Sequence, residues 1–153
     1  MNIKLRSRVL PKLSDFPLRD HDKLRYGDTD RQGHVNNAVF STFLETGRVG
    51  MLESAAAVRM RGPFSFVIAR LNLDYREEIL WPGRVEIGTG VAQIGNTSIT
   101  VSQALFQEEK CVATAQSVVV QVHAPSKRTV PLGDELRQYL TELLLPPVVG
   151  TYN

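Results

Sequence analysis

Apolar and polar positions change their period twice along this chain, and the changes mark its elements. From residue 38 to about 58, Val39, Phe40, Phe43, Leu44, Gly47, Met51 and Ala55 recur every three or four positions, which predicts a helix with Asn36 or Asn37 at its N-cap. Gly47 and Gly50 lie inside it, each costing up to ~1 kcal/mol relative to alanine, so both are expected to admit a close neighbour. After Arg61-Gly62-Pro63 the period becomes two. Leu71, Leu73 and Tyr75 alternate with Arg70, Asn72 and Asp74, and after Trp81-Pro82-Gly83 the same alternation runs through Val85, Ile87, Thr89 and Val91. Ile94-Gly95-Asn96-Thr97 suits a tight hairpin, Ile99, Val101 and Leu105 follow it, and Glu108-Glu109-Lys110 turns into a last strand through Val112, Val118, Val120 and Val122. Strands joined by short turns make an antiparallel meander, and the early helix must cover one of its faces, an α+β arrangement. Leu136, Tyr139, Leu140 and Leu143 predict a second helix before Pro146-Pro147. Upstream, a short strand is expected over residues 23–27. Residues 1–20, broken by Pro11 and Pro17, read as an N-terminal arm, with one domain over 21–153.

Composition narrows the class. In 153 residues with 42% hydrophobic and 22% charged side chains there is enough apolar material for one core, and a net charge of +2 without a basic tract gives no footprint for nucleic acid. No window reaches the roughly 18 to 20 apolar residues of a membrane span, and the first residues lack the apolar core and cleavage site of a signal peptide. The single cysteine, Cys111, excludes an internal disulfide and a multi-cysteine metal site, which points to the reducing cytoplasm. It reads as a small buried side chain rather than a nucleophile.

Several chemistries fall away by pattern. There is no GxxxxGK[ST], HExxH or GxSxG, the Gly88, Gly90 and Gly95 spacing is wrong for a dinucleotide fingerprint, and His21, His34 and His123 are too dispersed for a metal motif. What remains concentrated is Tyr26-Gly27-Asp28-Thr29-Asp30-Arg31-Gln32-Gly33-His34-Val35-Asn36-Asn37, immediately before the helix. It delivers two carboxylates, an imidazole and two amides to a helix N-terminus, where free N–H groups and the dipole favour negative charge. A carboxylate beside such an oxyanion site suits acyl transfer from an activated ester, as general base on water or as nucleophile. The same residues also suit a plain strand–turn–helix connection with asparagine capping and aspartates in turns. Arg25, Arg70, Arg76, Arg84, Lys127 and Arg128 are candidates for a basic rim that holds an anionic ligand.

The D-x-D-x-x-G-H-V-N-N stretch from Asp28 to Asn37, followed by Phe40, Phe43, Leu44, Glu45 and Arg48, resembles the hotdog-fold thioesterases of the 4-hydroxybenzoyl-CoA thioesterase-like group. The resemblance extends over residues 21–145, with echoes at Tyr75, Ile94-Gly95-Asn96-Thr97-Ser98 and Val130-Pro131. It implies a hotdog fold, in which a curved antiparallel sheet wraps around a central helix, with homodimers that place active sites at the subunit interface and can pair into dimers of dimers. It implies hydrolysis of an acyl-CoA, or acyl-carrier-protein, thioester without metal or redox cofactor, coenzyme A being part of the substrate. The catalytic acid falls on Asp30, as base or nucleophile. The polarising backbone N–H falls on Asn37, and His34 is expected to orient water or substrate. Asn36 is expected to cap the helix or position substrate, and Asp28 to be a turn acid. Arg76, Lys127 and Arg128 are expected to meet the CoA phosphates. The aromatic-rich stretch of the hydroxybenzoyl enzyme is replaced here by His-Val-Asn-Asn, so the aromatic substrate does not carry over.

Two other readings stay open at this level. One is a non-catalytic acyl-CoA-binding hotdog module. The other is a hotdog dehydratase or hydratase, for which His34 with Glu45 is the only conceivable pair.

Overall fold

The computed structural model describes residues 9–54 and 62–147. In chain order these form β1 (Leu18–Lys23), α1 (Asn37–Leu52), β2 (Phe64–Tyr75), β3 (Arg84–Ile94), β4 (Ser98–Gln107), β5 (Lys110–His123) and α2 (Asp134–Glu142), with single 3₁₀ turns at Leu13–Asp15 and Tyr26–Asp28. All pairings are antiparallel, and the strand order is β1-β3-β4-β5-β2. β3, β4 and β5 are the expected meander. β2 crosses to the far side to pair with β5, which leaves it as an edge whose Val67 and Ile68 are exposed.

α1 lies across the inner face of β1, β3 and β4. Near its start Phe40, Phe43 and Leu44 pack on Ile87, Leu105, Val112, Ala113 and Ala115, and near its end Met51 meets Val91, Val101 and the α2 residues Leu136 and Leu140. Burying each such apolar side chain contributes about 1.5–3 kcal/mol, so the helical and alternating periods converge on one interior. Tyr139 ties α2 to α1 by donating its hydroxyl to the Met51 carbonyl at 2.9 Å.

Gly47 is where helix and sheet come closest. A Cβ there would sit 2.6 Å from Thr89 Oγ1 and 2.7 Å from Gln103 Nε2. Gly50 does not share this role, since among the described residues a Cβ there would meet only Asp20 Oδ2, at 3.8 Å. Of the helix expected to reach residue 58, the stretch beyond 54 lies outside the described residues.

The expected strand over 23–27 is corrected. β1 ends at Lys23, and Tyr26–Asp28 turns because the Asp28 carboxylate accepts the Arg25 backbone N–H at 2.9 Å. Of the arm expected over residues 1–20, only 9–20 are described, and these are more structured than the prolines suggested. Leu18–Asp20 form the first half of β1, and Phe16, 1% exposed, fills the space over Gly88 against Phe106. Leu145 covers Gly90 in the same way, so both ends of the described chain close on the outer face of β3.

Candidate active site

The loop before α1 is built by its own aspartates. Asp28 is buried, and burial pushes its carboxyl up. The Arg25 side chain (2.8 and 3.1 Å) and backbone N–H outweigh that effect and hold it below the usual carboxylate range. Its carbonyl accepts the Asn36 N–H at 2.8 Å, which brings both ends of the loop together. Inside this frame Asp30 N–H donates to the His34 carbonyl at 2.7 Å. Gly33, at φ 82, makes the left-handed turn that closes the loop. Asp30 Oδ1 accepts the backbone N–H groups of Gln32 (2.8 Å) and His34 (3.3 Å), while Oδ2 has no hydrogen-bond partner among the described residues. The loop thus fixes the carboxylate and leaves one oxygen open.

Asn36 is the N-cap, its side-chain oxygen accepting the Ala38 N–H at 2.9 Å, and its carbonyl takes the Val39 N–H. The Asn37 N–H, at the first helical position, makes no hydrogen bond among the described residues. Tyr75, at the end of β2, donates its hydroxyl to the Asn37 carbonyl at 2.9 Å and packs edge-on against Phe40. The chain after β2 is stitched to the loop by Val35 N–H donating to Ile79 O (2.9 Å) and a bridge between His34 and Leu80. The Gln107 amide clamps Leu80 through both of its backbone groups. His34 Nε2 there lies 3.2 Å from Glu78 Oε2.

These residues line one open cleft of about 570 Å³, in which Asp30, His34, Asn37 and Arg76 face a common space. A larger hollow, about 960 Å³, lies on the outer side near Lys12, Arg19 and Glu109 and contains none of the motif. The cleft holds the acid, the imidazole and the helix end; the larger hollow is only roomy.

The structure sorts the expected residues. Asp30, His34 and Asn37 come together. Arg76 joins them, its guanidinium held by two hydrogen bonds to Thr114 Oγ1 at 2.9 and 3.1 Å. Asn36, expected among the substrate-binding residues, has its side-chain oxygen engaged in capping. Lys127 and Arg128 lie in the turn after His123, at the opposite end of β5 from Thr114, and take no part in this chain's cleft. Glu45 is exposed and outside the cleft. Arg48 turns inward and is buried near Gln103. The His34–Glu45 pair is therefore not formed; the partner of His34 is Glu78. Cys111 is buried, and burial pushes its thiol up against smaller opposing effects from the Arg76 charge and an Ala113 hydrogen bond, which disfavours the nucleophilic thiolate. Among the described residues no group of three metal-ligating side chains occurs, and no helix is long and apolar enough to cross a membrane. Glu77, Glu78 and Gln32 were not singled out by sequence. Their signal was only a charged run after Tyr75 and a polar position inside the motif.

A carboxylate oxygen and an unpaired helix-start N–H on one cleft are the elements of base-assisted attack on a carbonyl with capture of the oxyanion. Known proteins similar to this chain include thioesterases. The chain is 28% identical over 126 residues to the long-chain acyl-CoA thioesterase FadM of Escherichia coli, covering 80% of this chain and 96% of that protein. The crystal structure of the PA5185 protein of Pseudomonas aeruginosa superposes with a TM-score of 0.79 at 29% identity, over 88% of this chain and 96% of that one. A thioesterase from Thermus thermophilus, solved in complex with coenzyme A and Zn, gives a TM-score of 0.73 at 28% identity, over 84% and 95%. The five-stranded sheet and its helix are thus those of the hotdog thioesterases. With its family profile matching residues 24–140, the chain belongs to the thioesterase-like superfamily.

Proposed function

We propose that this thioesterase hydrolyses acyl-CoA, with Asp30 as the catalytic carboxylate and the Asn37 N–H as oxyanion donor. The observation that carries the reading is that Asp30 Oδ2 and the Asn37 N–H are both unengaged and both border the same cleft. In this mechanism Asp30 takes a proton from water as it attacks the thioester carbon, or attacks that carbon itself. The negative charge on the carbonyl oxygen is met by the Asn37 N–H and the positive end of α1, a donor type worth about 2.7–4 kcal/mol when it is removed. His34 orients the water or the thioester. Collapse of the intermediate breaks the C–S bond: in the first case it yields the acid directly and the thiolate takes up the proton that water gave to Asp30, and in the second it leaves an acyl anhydride on Asp30, which water hydrolyses to the acid while a proton from that water passes to the thiolate. Every step is served by a carboxylate, an imidazole and a backbone donor, so the proposed reaction uses no metal or redox cofactor.

The CoA carrier is favoured by the names of FadM and of the coenzyme A-bound relative. Arg76 is the cation beside the cleft suited to its phosphates. The open edge of β2 invites antiparallel pairing with a second copy. Paired end to end, β2 of a second copy would bring its first residues, whose β5 neighbours end at His123, alongside Tyr75, and so carry the turn with Lys127 and Arg128 toward the cleft of the first subunit. The proposed homodimer accounts for two cations that one chain leaves remote, and a reduced cytoplasm suits its unpaired thiol.

The test is thiol release from a panel of short, long, branched and aromatic acyl-CoAs. Asp30→Asn should lose about 100-fold or more of kcat on the best substrate, within the usual range of a positioned acid or base. Near-normal hydrolysis by that variant would sink the assignment. Tight acyl-CoA binding with no turnover by the wild type would replace it with a binding module.

A further inference from the structure

Beside the catalytic loop, Glu78 faces His34 from the segment after β2, and its place there is over-determined. Val35 N–H to Ile79 O, the His34–Leu80 bridge and the Gln107 clamp on Leu80 fix this segment against the loop. Four charged side chains share the cleft with the imidazole: Asp30 on its own loop, and Arg76, Glu77 and Glu78 opposite. Arg76 is bound to Thr114, Asp30 Oδ1 to its own loop, and Glu77 to Lys110 Nζ at 3.2 Å. Glu78 is the carboxylate in contact with the ring, its Oε2 an ion-pair distance of 3.2 Å from Nε2, and His34 Nδ1 has no partner among the described residues.

We infer that Glu78 is a positioning residue for the hydrolysis. It accepts the His34 Nε2–H, fixes the ring, and leaves Nδ1 as the nitrogen that meets water or the thioester. A carboxylate behind an imidazole sets both its orientation and the nitrogen that carries the proton. Both side chains are partly exposed, so the effect is that of a solvent-accessible pair rather than a buried triad. The inference rests on the proposed role of this cleft in thioester hydrolysis.

Two measurements on the full-length protein test it. In the first, Glu78→Ala, His34→Ala and the double variant are compared on the best acyl-CoA. Glu78→Ala should lower kcat about two- to fivefold with KM unchanged. The same change in the His34→Ala background should cost nothing further. An equal loss in both backgrounds, a change confined to KM, or no loss at all would overturn the inference. In the second, ¹⁵N NMR of the imidazole reads the tautomer directly. The wild type should hold the proton on Nε2 more completely than Glu78→Ala, whose ring should relax to the tautomer mixture of a free imidazole, whereas a wild type no more Nε2-protonated than Glu78→Ala, or protonated on Nδ1 alone, would overturn the inference. The spectrum needs no turnover, so failure of the Asp30 assignment is seen in the Asp30→Asn assay and failure of the Glu78 role in the spectrum.

Discussion

Two glycines in one helix should answer oppositely to the same substitution. At Gly47 an added Cβ would lie 2.6 Å from Thr89 Oγ1, 2.7 Å from Gln103 Nε2 and 2.8 Å from Ile87 Cγ2, against 3.4–4 Å for ordinary contact. The Gln103 amide cannot give way freely. It is buried, and it donates to the Leu44 carbonyl at 2.9 Å and to Thr89 Oγ1 at 3.0 Å. Lifting the helix or turning the amide costs about 1–3 kcal/mol in overpacking, and a broken buried hydrogen bond adds about 1–3 kcal/mol. Better helix propensity returns about 1 kcal/mol. Gly47→Ala should therefore destabilise by about 1–5 kcal/mol. At Gly50 the only neighbour among the described residues is Asp20 Oδ2 at 3.8 Å, so Gly50→Ala should gain about 0.5–1 kcal/mol. At about 3 °C per kcal/mol for a chain of this size, thermal melts should move by about 3–15 °C downward for Gly47→Ala and about 2–3 °C upward for Gly50→Ala. Urea unfolding with an unchanged slope would confirm that stability alone had shifted. A Gly47→Ala protein as stable as the wild type, or equal losses at both positions, would refute the claim that Gly47 sets the seating of α1.

Two further outcomes follow from local geometry. Because the Asp28 carboxyl is held below its usual value in the folded protein, its contribution is complete above about pH 4 and is lost as pH falls through the folded value. Asp28→Asn should lower the melting temperature at pH 7, and the gap to wild type should narrow on acidification below pH 4; a gap that widened there would contradict the Arg25 pairing. In the β4–β5 turn Glu108 and Glu109 both adopt left-handed backbone, at φ 49 and 66, so Glu109→Gly should raise stability by up to about 1 kcal/mol in a thermal melt, and a loss would contradict the strain reading.

The elements most legible in the sequence were those whose period reports a single buried face. Val85, Ile87 and Val91 alternate because one side of β3 meets α1, and Phe40, Phe43, Leu44 and Met51 repeat because one stripe of α1 meets the sheet. The motif placed Asp30, His34 and Asn37 on one cleft because backbone hydrogen bonds within a few residues shape that loop. Features that depend on distant partners were hidden. Phe16 sits between prolines with no period to announce it, and only the bare backbone of Gly88 on another strand makes room for it. Gly50 looked equivalent to Gly47 because sequence does not show which face of a helix is pressed against a neighbour. Glu78 reads as one charge in a run until the bridge between His34 and Leu80 brings it to the imidazole. Lys127 and Arg128 failed as partners of this chain's cleft because β5 is long and separates them from Arg76 along its length.

The strand order also bears on how the protein assembles in time. β3, β4 and β5 follow one another through short turns, so their ladders close small loops and can form early. The ladders that join Leu18 to Thr89 and Phe64 to His123 close much larger loops and come at higher entropic cost. The cleft spans this divide. Arg76 hangs from Thr114 on the meander, whereas Tyr75 comes from β2 and Asp30 from the loop beyond β1. On loop-closure entropy the proposed site should therefore be completed late in folding. Mild denaturation should silence turnover while amide protons of the meander are still protected from exchange.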